Sequence, residues 1–371
     1  MSFSYWEQQS WLSKIDFTVV GSGIVGLTTA LELKRRYPDS KVLVLEKGLL
    51  PDGASTKNAG FACYGSLSEI LEDLRNHSED DVVQLVRKRV KGFELLRKNL
   101  GDKTLGYESY GGYELFTSGD RELFEECVSQ LDYVNNLLFP IFKKPVFSVE
   151  NDSFGFKNVQ KNLIYSAFEA QINTGQMMAA LLQKTHAAGI RILNNITVEA
   201  FTDTRKKVEI ETDHFNITIS KLLIATNGFS SQLGIKEVKP ARAQVLITKP
   251  IKDLHIKGTF HLDKGFYYFR NIDDRILFGG GRNLDFKAEE TVKMLQTKLI
   301  QNRLEELLRT TILPDTPFEI DQRWSGIMGV GKQKKPIIEQ ISENIFCGVR
   351  LASMGIAIGS LVGKELADLI K

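Results

Sequence analysis

"IDFTVVGSGIVGLTTALELKRR", Ile15 to Arg36, runs directly into "YPDSKVLVLE", Tyr37 to Glu46, and together they read as strand, helix and strand. Asp16 to Val20 is a short apolar, β-branched run, after which Ile24, Leu27, Thr28 and Leu31 recur at helical spacing until "YPDS" stops the helix. "KVLVLE" is a second buried strand. Between the first strand and the helix stand Gly21, Gly23 and Gly26, a Gly-x-Gly-x-x-Gly. One glycine makes the tight turn, one lets backbone approach a pyrophosphate, and one lets helix and strand pack closely, while the helix N-terminus faces the phosphates. Glu46 follows Gly26 by 20 residues, at the end of the second strand, where a carboxylate accepts hydrogen bonds from a ribose 2′-OH and repels a 2′-phosphate. An adenine dinucleotide other than NADP is therefore expected on Gly21, Ser22, Gly23, Ile24, Val25 and Gly26, with Glu46 and Lys47 at the ribose.

The chain of 371 residues is longer than one hydrophobic core usually supports, so two domains or a large insertion are expected. Forty-eight Lys and Arg against 46 Asp and Glu leave a net charge of +2, too balanced for a broad phosphate-binding field, and no nucleic-acid partner is expected. The N-terminal segment has no apolar run of secretory type, and the uncharged stretch Leu351 to Gly363 is too short to cross a bilayer. A cytoplasmic protein without a membrane partner is expected. Cys63, Cys127 and Cys347 are far apart, and the histidines form no HxH or HExxH, so neither a disulfide framework nor a metal site is expected.

Further along, Ser68 to Asn99 reads as one long helix with Val82, Val86, Val90 and Phe93 on one face, and Arg121 to Leu138 as another. Short β runs follow between Gly189 and Gly228, then at "ARAQVLITKP", then in a hairpin of "FYYFRN" and "DRILFGGGR". A helix is expected over Ala288 to Leu308, with Met294, Leu295, Ile300, Leu304 and Leu308 inward. The chain closes on "ENIFCGVRLASMGIAIGSLVGKELADLIK", a strand, a Gly-bearing turn and a helix. This order is no repeating βαβα series; an N-terminal nucleotide unit completed by distant later segments fits it better than two domains in tandem.

After Glu46 comes "EKGLLPDGASTKNAGFACYGS", whose S-x-x-N-x-G places Ser55, Thr56, Asn58, Ala59 and Gly60 in a small-residue loop. Here the sequence resembles the FAD-dependent amine oxidoreductase family of D-amino-acid oxidase, glycine oxidase and sarcosine oxidase. "INTGQMMAALLQKTHAAGIRILNNITVEAF" is similar to the family segment whose valine, here Val198, meets the adenine. "KLLIATNGFSS" resembles its turn over the dinucleotide, at Ala225, Thr226, Asn227 and Gly228. "RWSGIMGVG", with Gly326, and "SMGIAIGS", with Ser353, Met354, Gly355 and Ile356, resemble its closing unit. A helix N-terminus there would stabilise negative charge on reduced flavin.

The resemblance implies an α/β fold, α+β overall: a Rossmann-like FAD domain of glutathione-reductase type with an inserted mixed-sheet substrate domain. The FAD domain would comprise residues 1–65, 155–235 and 325–371, and the substrate domain 66–154 and 236–324. It also implies hydride transfer from a small amine or amino acid to FAD, giving an imine, with oxygen or another acceptor reoxidising the flavin. Arg suits a bidentate grip on a substrate carboxylate, and Arg242, Arg270, Arg282, Arg323 and Arg350 are the candidates. The resemblance favours Arg270 and Arg350. Tyr267 and Tyr268 alternate faces on a strand, so only one can face a flavin, and Tyr268 is chosen with those arginines as catalytic.

Three departures qualify the resemblance. Met328 stands where glycine oxidase carries its substrate arginine, no cysteine marks the flavin-bonding position of sarcosine oxidases, and "DRILFGGGR" lacks their lysine. FAD is accordingly expected to be non-covalent. An NAD-dependent Rossmann dehydrogenase, and a flavin-binding protein with little turnover, stay open. His261 and the basic run Lys332 to Lys335 read as structural and as a solvated loop, respectively.

Overall fold

The computed structural model describes residues 2–371, and the strand, helix and strand of the opening stretch lie at the centre of its first sheet. Ile15–Val20 runs parallel between Val42–Leu45 and Asn216–Ile224. Ile345–Val349 continues the parallel order beyond Asn216–Ile224, and Arg191–Leu193 lies outside Val42–Leu45. Ile337–Ser342 closes one edge antiparallel, and Val208–Thr212 and Val198–Asp203 branch off Asn216–Ile224 as a meander. All four residues of Val42–Leu45 are buried, Val42 and Val44 against helical residues such as Val25, Leu33 and Val362, and Leu43 and Leu45 against Val198, Val208 and Ile210 of the meander.

The longer helices are, in chain order, α1 (Ile24–Arg36), α2 (Leu67–Asn76), α3 (Glu79–Leu100), α4 (Arg121–Phe142), α5 (Thr174–Ala187), α6 (Lys298–Leu307) and α7 (Gly355–Asp368). The closing helix α7 lies between α1 and α3 at backbone distance. A β-carbon at Gly363 would sit 2.6 Å from the Val25 carbonyl oxygen, and one at Gly92 2.8 Å from the Ile358 Cα.

The expected single helix from Ser68 to Asn99 is two helices. His77 is extended (φ −141°), and Ser78 caps α3 by accepting from the Asp81 N–H at 3.2 Å, so a serine reads as a start where apolar periodicity alone runs on. The helix expected from Ala288 begins only at Lys298. Before it, the buried Glu289 is drawn across the sheet to Arg242, and the Thr297 N–H donates to Gln244 Oε1 at 2.9 Å. Leu295 is exposed and Met294 faces a cavity; neither packs inward.

The second sheet is mixed, in the order Ile320–Val330, Lys239–Thr248, Arg275–Gly280, Tyr267–Ile272, Thr259–Leu262, Gly112–Leu115, Asn162–Ser166 and Phe147–Asn151. The hairpin turns through Asp273 and Asp274, both left-handed (φ +47° and +55°), as a two-residue loop of primed type demands. Phe260 and Phe269 stack at 4.5 Å in the core between this sheet and α6. Asn162–Ser166 and Ile320–Val330 belong to this second sheet, so the chain changes sheets after Ser166 and after Val330, later than the expected boundaries at 155 and 325.

Candidate functional site

A cavity of about 770 Å³ opens between the two sheets and is lined by residues of both. Its long wall is the turn after the first strand. Gly21 adopts φ +102°, and a β-carbon there would lie 2.9 Å from the Ala225 carbonyl oxygen, so the turn takes only glycine. Gly21, Gly23, Ile24 and Val25 line the cavity, while Ser22 and Gly26 stand behind. Ser22 instead holds the acid, its N–H and hydroxyl donating to Glu46 Oε2 at 2.9 and 2.6 Å. The Gly48 N–H donates to Oε1 at 2.9 Å, so the carboxylate is held rigidly at the strand end with lone pairs left toward the cavity. Lys47 lines the wall beside it.

The small-residue loop is built around Asn58. Its amide donates to the Ala54 and Ser55 carbonyls, and its Oδ1 accepts from the Gly60 N–H at 2.8 Å and the Thr174 hydroxyl at 2.9 Å. Ser55, Asn58 and Ala59 face the cavity; Thr56 instead donates to the Pro51 carbonyl at 2.6 Å, and Gly60 turns behind. Val198, Ala225, Thr226, Asn227 and Gly326 line the wall, whereas Gly228 packs on the Met328 backbone. Ser353, Met354, Gly355 and Ile356 bring the N-terminus of α7 to the same space. A β-carbon at Gly355 would meet no atom within 4 Å, so the cavity reaches the backbone there. The first amides of a helix have no acceptor inside it and form its positive end. Bared backbone at two helix N-termini, with a fixed acid at the second strand's end, suits the pyrophosphate, ribose and flavin of FAD.

On the other side, Tyr268 lines the cavity edge-on to Phe61 (5.6 Å), and burial pushes its phenol up to about 12. Tyr267 is in the core of the second sheet. Arg270 and Arg350, expected at the substrate, do not line the cavity. Arg270 donates to the Gly60 and Ile172 carbonyls at 3.1 and 2.8 Å. Arg350, in a left-handed turn (φ +64°), donates to the Lys335 carbonyl at 2.9 Å. Arg242 pairs with Glu289 and Arg323 with Glu305. Arg282 is the one candidate of the five on the cavity wall; it forms no ion pair among the described residues, and its guanidinium lies 4.9 Å from the Phe286 ring centre. The signal for it was "GGG" before it: Gly280 and Gly281 take φ +132° and +77° and turn the next side chain inward.

His261 also lines the wall, its Nε2 2.8 Å from Glu169 Oε2. Burial alone would lower its pKa, but the Glu169 carboxylate, by charge and hydrogen bond, outweighs this and raises it to about 9. Cys63 is buried there too, its thiol pushed well up by desolvation. Lys334, read as solvated, lines the mouth and pairs with Asp73 at 2.5 Å.

The sheet, the glycine turn, the acid and the late helix N-terminus together define an oxidoreductase fold built to hold a dinucleotide between two sheets. The chain belongs to the FAD dependent oxidoreductase family, which it matches over residues 16–369. It is 22% identical over 382 residues to the probable oxidoreductase OrdL of Haemophilus influenzae, covering 96% of this chain and 82% of that protein. Among solved structures it resembles L-proline dehydrogenase from P. horikoshii with a TM-score of 0.76 at 19% identity, covering 96% of this chain and 93% of that one. It resembles glycine oxidase from Geobacillus kaustophilus with a TM-score of 0.74 at 20% identity, covering 96% and 94%. The protein is an FAD-dependent oxidoreductase.

Proposed function

We propose that the chain oxidises a small amine or amino acid at the carbon beside nitrogen, leaving an imine that water hydrolyses. Bound FAD supplies the hydride acceptor, and oxygen or another acceptor takes the electrons onward. The observation that carries the reading is Arg282, a cation on the cavity wall without a carboxylate of its own. Its fork of donors matches a substrate carboxylate, the role Met328 cannot fill. Tyr268, with Phe61, Phe266 and Met328, gives the same region an apolar wall that excludes water and favours a neutral amine. Support also comes from the similar structures, which include glycine oxidase, L-proline dehydrogenase and iminodiacetate oxidase.

The cofactor is held without a covalent bond. Cys63 is the cysteine on the wall, and a thiol kept protonated by burial is a poor nucleophile. The first sheet with its helices forms the FAD domain and the second sheet the substrate domain. A cytoplasmic protein without a nucleic-acid partner agrees with the net charge of +2, and no helix among the described residues is long and apolar enough to cross a membrane.

The test is anaerobic reduction of the purified holoprotein by glycine, sarcosine, proline, D- and L-amino acids and polyamines, followed by air. Bleaching of the flavin bands by a carboxylate-bearing amine is expected, and recovery in air separates oxidase from dehydrogenase. Bleaching by none of the panel would reject the amine reading.

A further inference from the structure

Arg270 stands on the strand Tyr267–Ile272, with its guanidinium behind the part of the wall that Ala59 and Phe61 present to the cavity. It is 2% exposed. One nitrogen, Nη1, holds two carbonyls, Gly60 of the small-residue loop and Ile172 of the segment leading into α5. Nε is buried without any partner, and no carboxylate pairs with the group among the described residues. The contrast with Arg242 is direct, since that buried guanidinium is closed by Glu289 on two nitrogens. Burial pulls Arg270 down to about 10, with the charges of Glu108 and Asp273 opposing, so it is still a cation at neutral pH.

A buried cation is costly unless compensated, and two carbonyls could be bridged by a neutral donor at far lower cost. The charge therefore has a use that the hydrogen bonds do not explain. Reduced flavin carries more negative charge than oxidised flavin, and a fixed cation in a low-dielectric wall favours the reduced form. We propose that Arg270 is a positioning residue of this kind: its hydrogen bonds fix the loop Asn58–Phe61, and its unpaired charge behind that loop raises the reduction potential of the bound FAD. The proposal rests on FAD binding and is independent of which substrate is oxidised.

The experiment compares Arg270→Gln with Arg270→Lys as holoproteins, reading the midpoint potential by anaerobic dye equilibration and the FAD dissociation constant beside it. Both variants lose the two-carbonyl fork, so both bind FAD more weakly; only Gln loses the charge. The Gln variant is expected to shift the oxidised–reduced equilibrium toward oxidised flavin by at least about tenfold, about 30 mV for a two-electron couple, with Lys staying within about threefold of the parent. Equal potentials in the two variants, or a Gln variant with the parent potential, would overturn the proposal. If Gln fails to retain FAD, Arg270→Met takes its place. If neither neutral variant holds the cofactor, the Lys variant decides alone: an unshifted potential supports the charge, and a drop beyond about tenfold rejects it.

Discussion

Arg282 meets no carboxylate of its own chain among the described residues, so a ligand that brings one gains a charge-assisted pair without displacing anything. Such bonds contribute about 1.5–3 kcal/mol, so Arg282→Met should raise KM for a carboxylate-bearing substrate between about tenfold and a hundredfold, with FAD content unchanged. Arg282→Lys should recover part of the loss. A KM that does not move would place the anchor elsewhere. His261 gives a pH dependence whose sign is fixed. Its folded pKa, about 9, lies above the ordinary value of 6.5, so its pairing with Glu169 stabilises fully below 6.5 and is lost as pH rises through about 9. The melting temperature should fall over that window, and Glu169→Gln should flatten the fall; a parallel fall in both proteins would remove His261 as its source. Residue types were easier to read from sequence than their targets. Tyr268 and Arg270 share one face of a strand, which parity supplies, but how far along that face the cavity extends depends on where Gly60 and Ile172 cross beneath it.

Elements were legible where a signal is local. The first strand, α1 and the second strand follow from periodicity and glycines, whereas the break before α3 was missed because apolar periodicity runs through it and only the capping Ser78 marks it. The segment before α6 was not legible, because Gln244 and Arg242, distant in sequence, hold it out of a helix. The closing helix α7 depends on both kinds of information. Its glycines look alike in sequence but face different things: a β-carbon at Gly363 would lie 2.6 Å from the Val25 carbonyl oxygen, whereas one at Gly355 would enter open cavity. Gly363→Ala should therefore lower stability by about 1–3 kcal/mol through overpacking. Moving α7 also moves its N-terminus, so FAD affinity should fall with it. Gly355→Val should leave apoprotein melting nearly unchanged and abolish FAD binding, because its side chain enters the cofactor's space alone. Melting curves of the two apoproteins with FAD titrations separate the cases, and identical behaviour of the pair would refute the assignment of their faces.

At the scale of the molecule, the cavity belongs to neither sheet. Gly21, Glu46 and Ala225 come from the first, Ala243, Val245 and Tyr268 from the second, and Met354 from the turn before α7. The two-sheet plan was foreseeable from the change in pattern along the chain, but the crossing points after Ser166 and Val330 were not, since nothing local in Asn162–Ser166 or Ile320–Val330 tells which sheet the strand joins. A ligand that fills about 770 Å³ between two sheets adds contacts to both and excludes water from the faces they turn to each other. Removing FAD should consequently lower the melting temperature of both sheets together. Ligand linkage sets the size: at a free concentration one hundred times the dissociation constant the gain is about 2.7 kcal/mol, and it grows with the logarithm of concentration. Calorimetry of apoprotein across an FAD series should show a single transition rising by several degrees, while FMN, which lacks the adenosine proposed to lie against Val198 and Glu46, should raise it far less. A melting temperature independent of FAD concentration, or equal gains from FMN and FAD, would show that the wall from Gly21 to Val198 does not carry the binding.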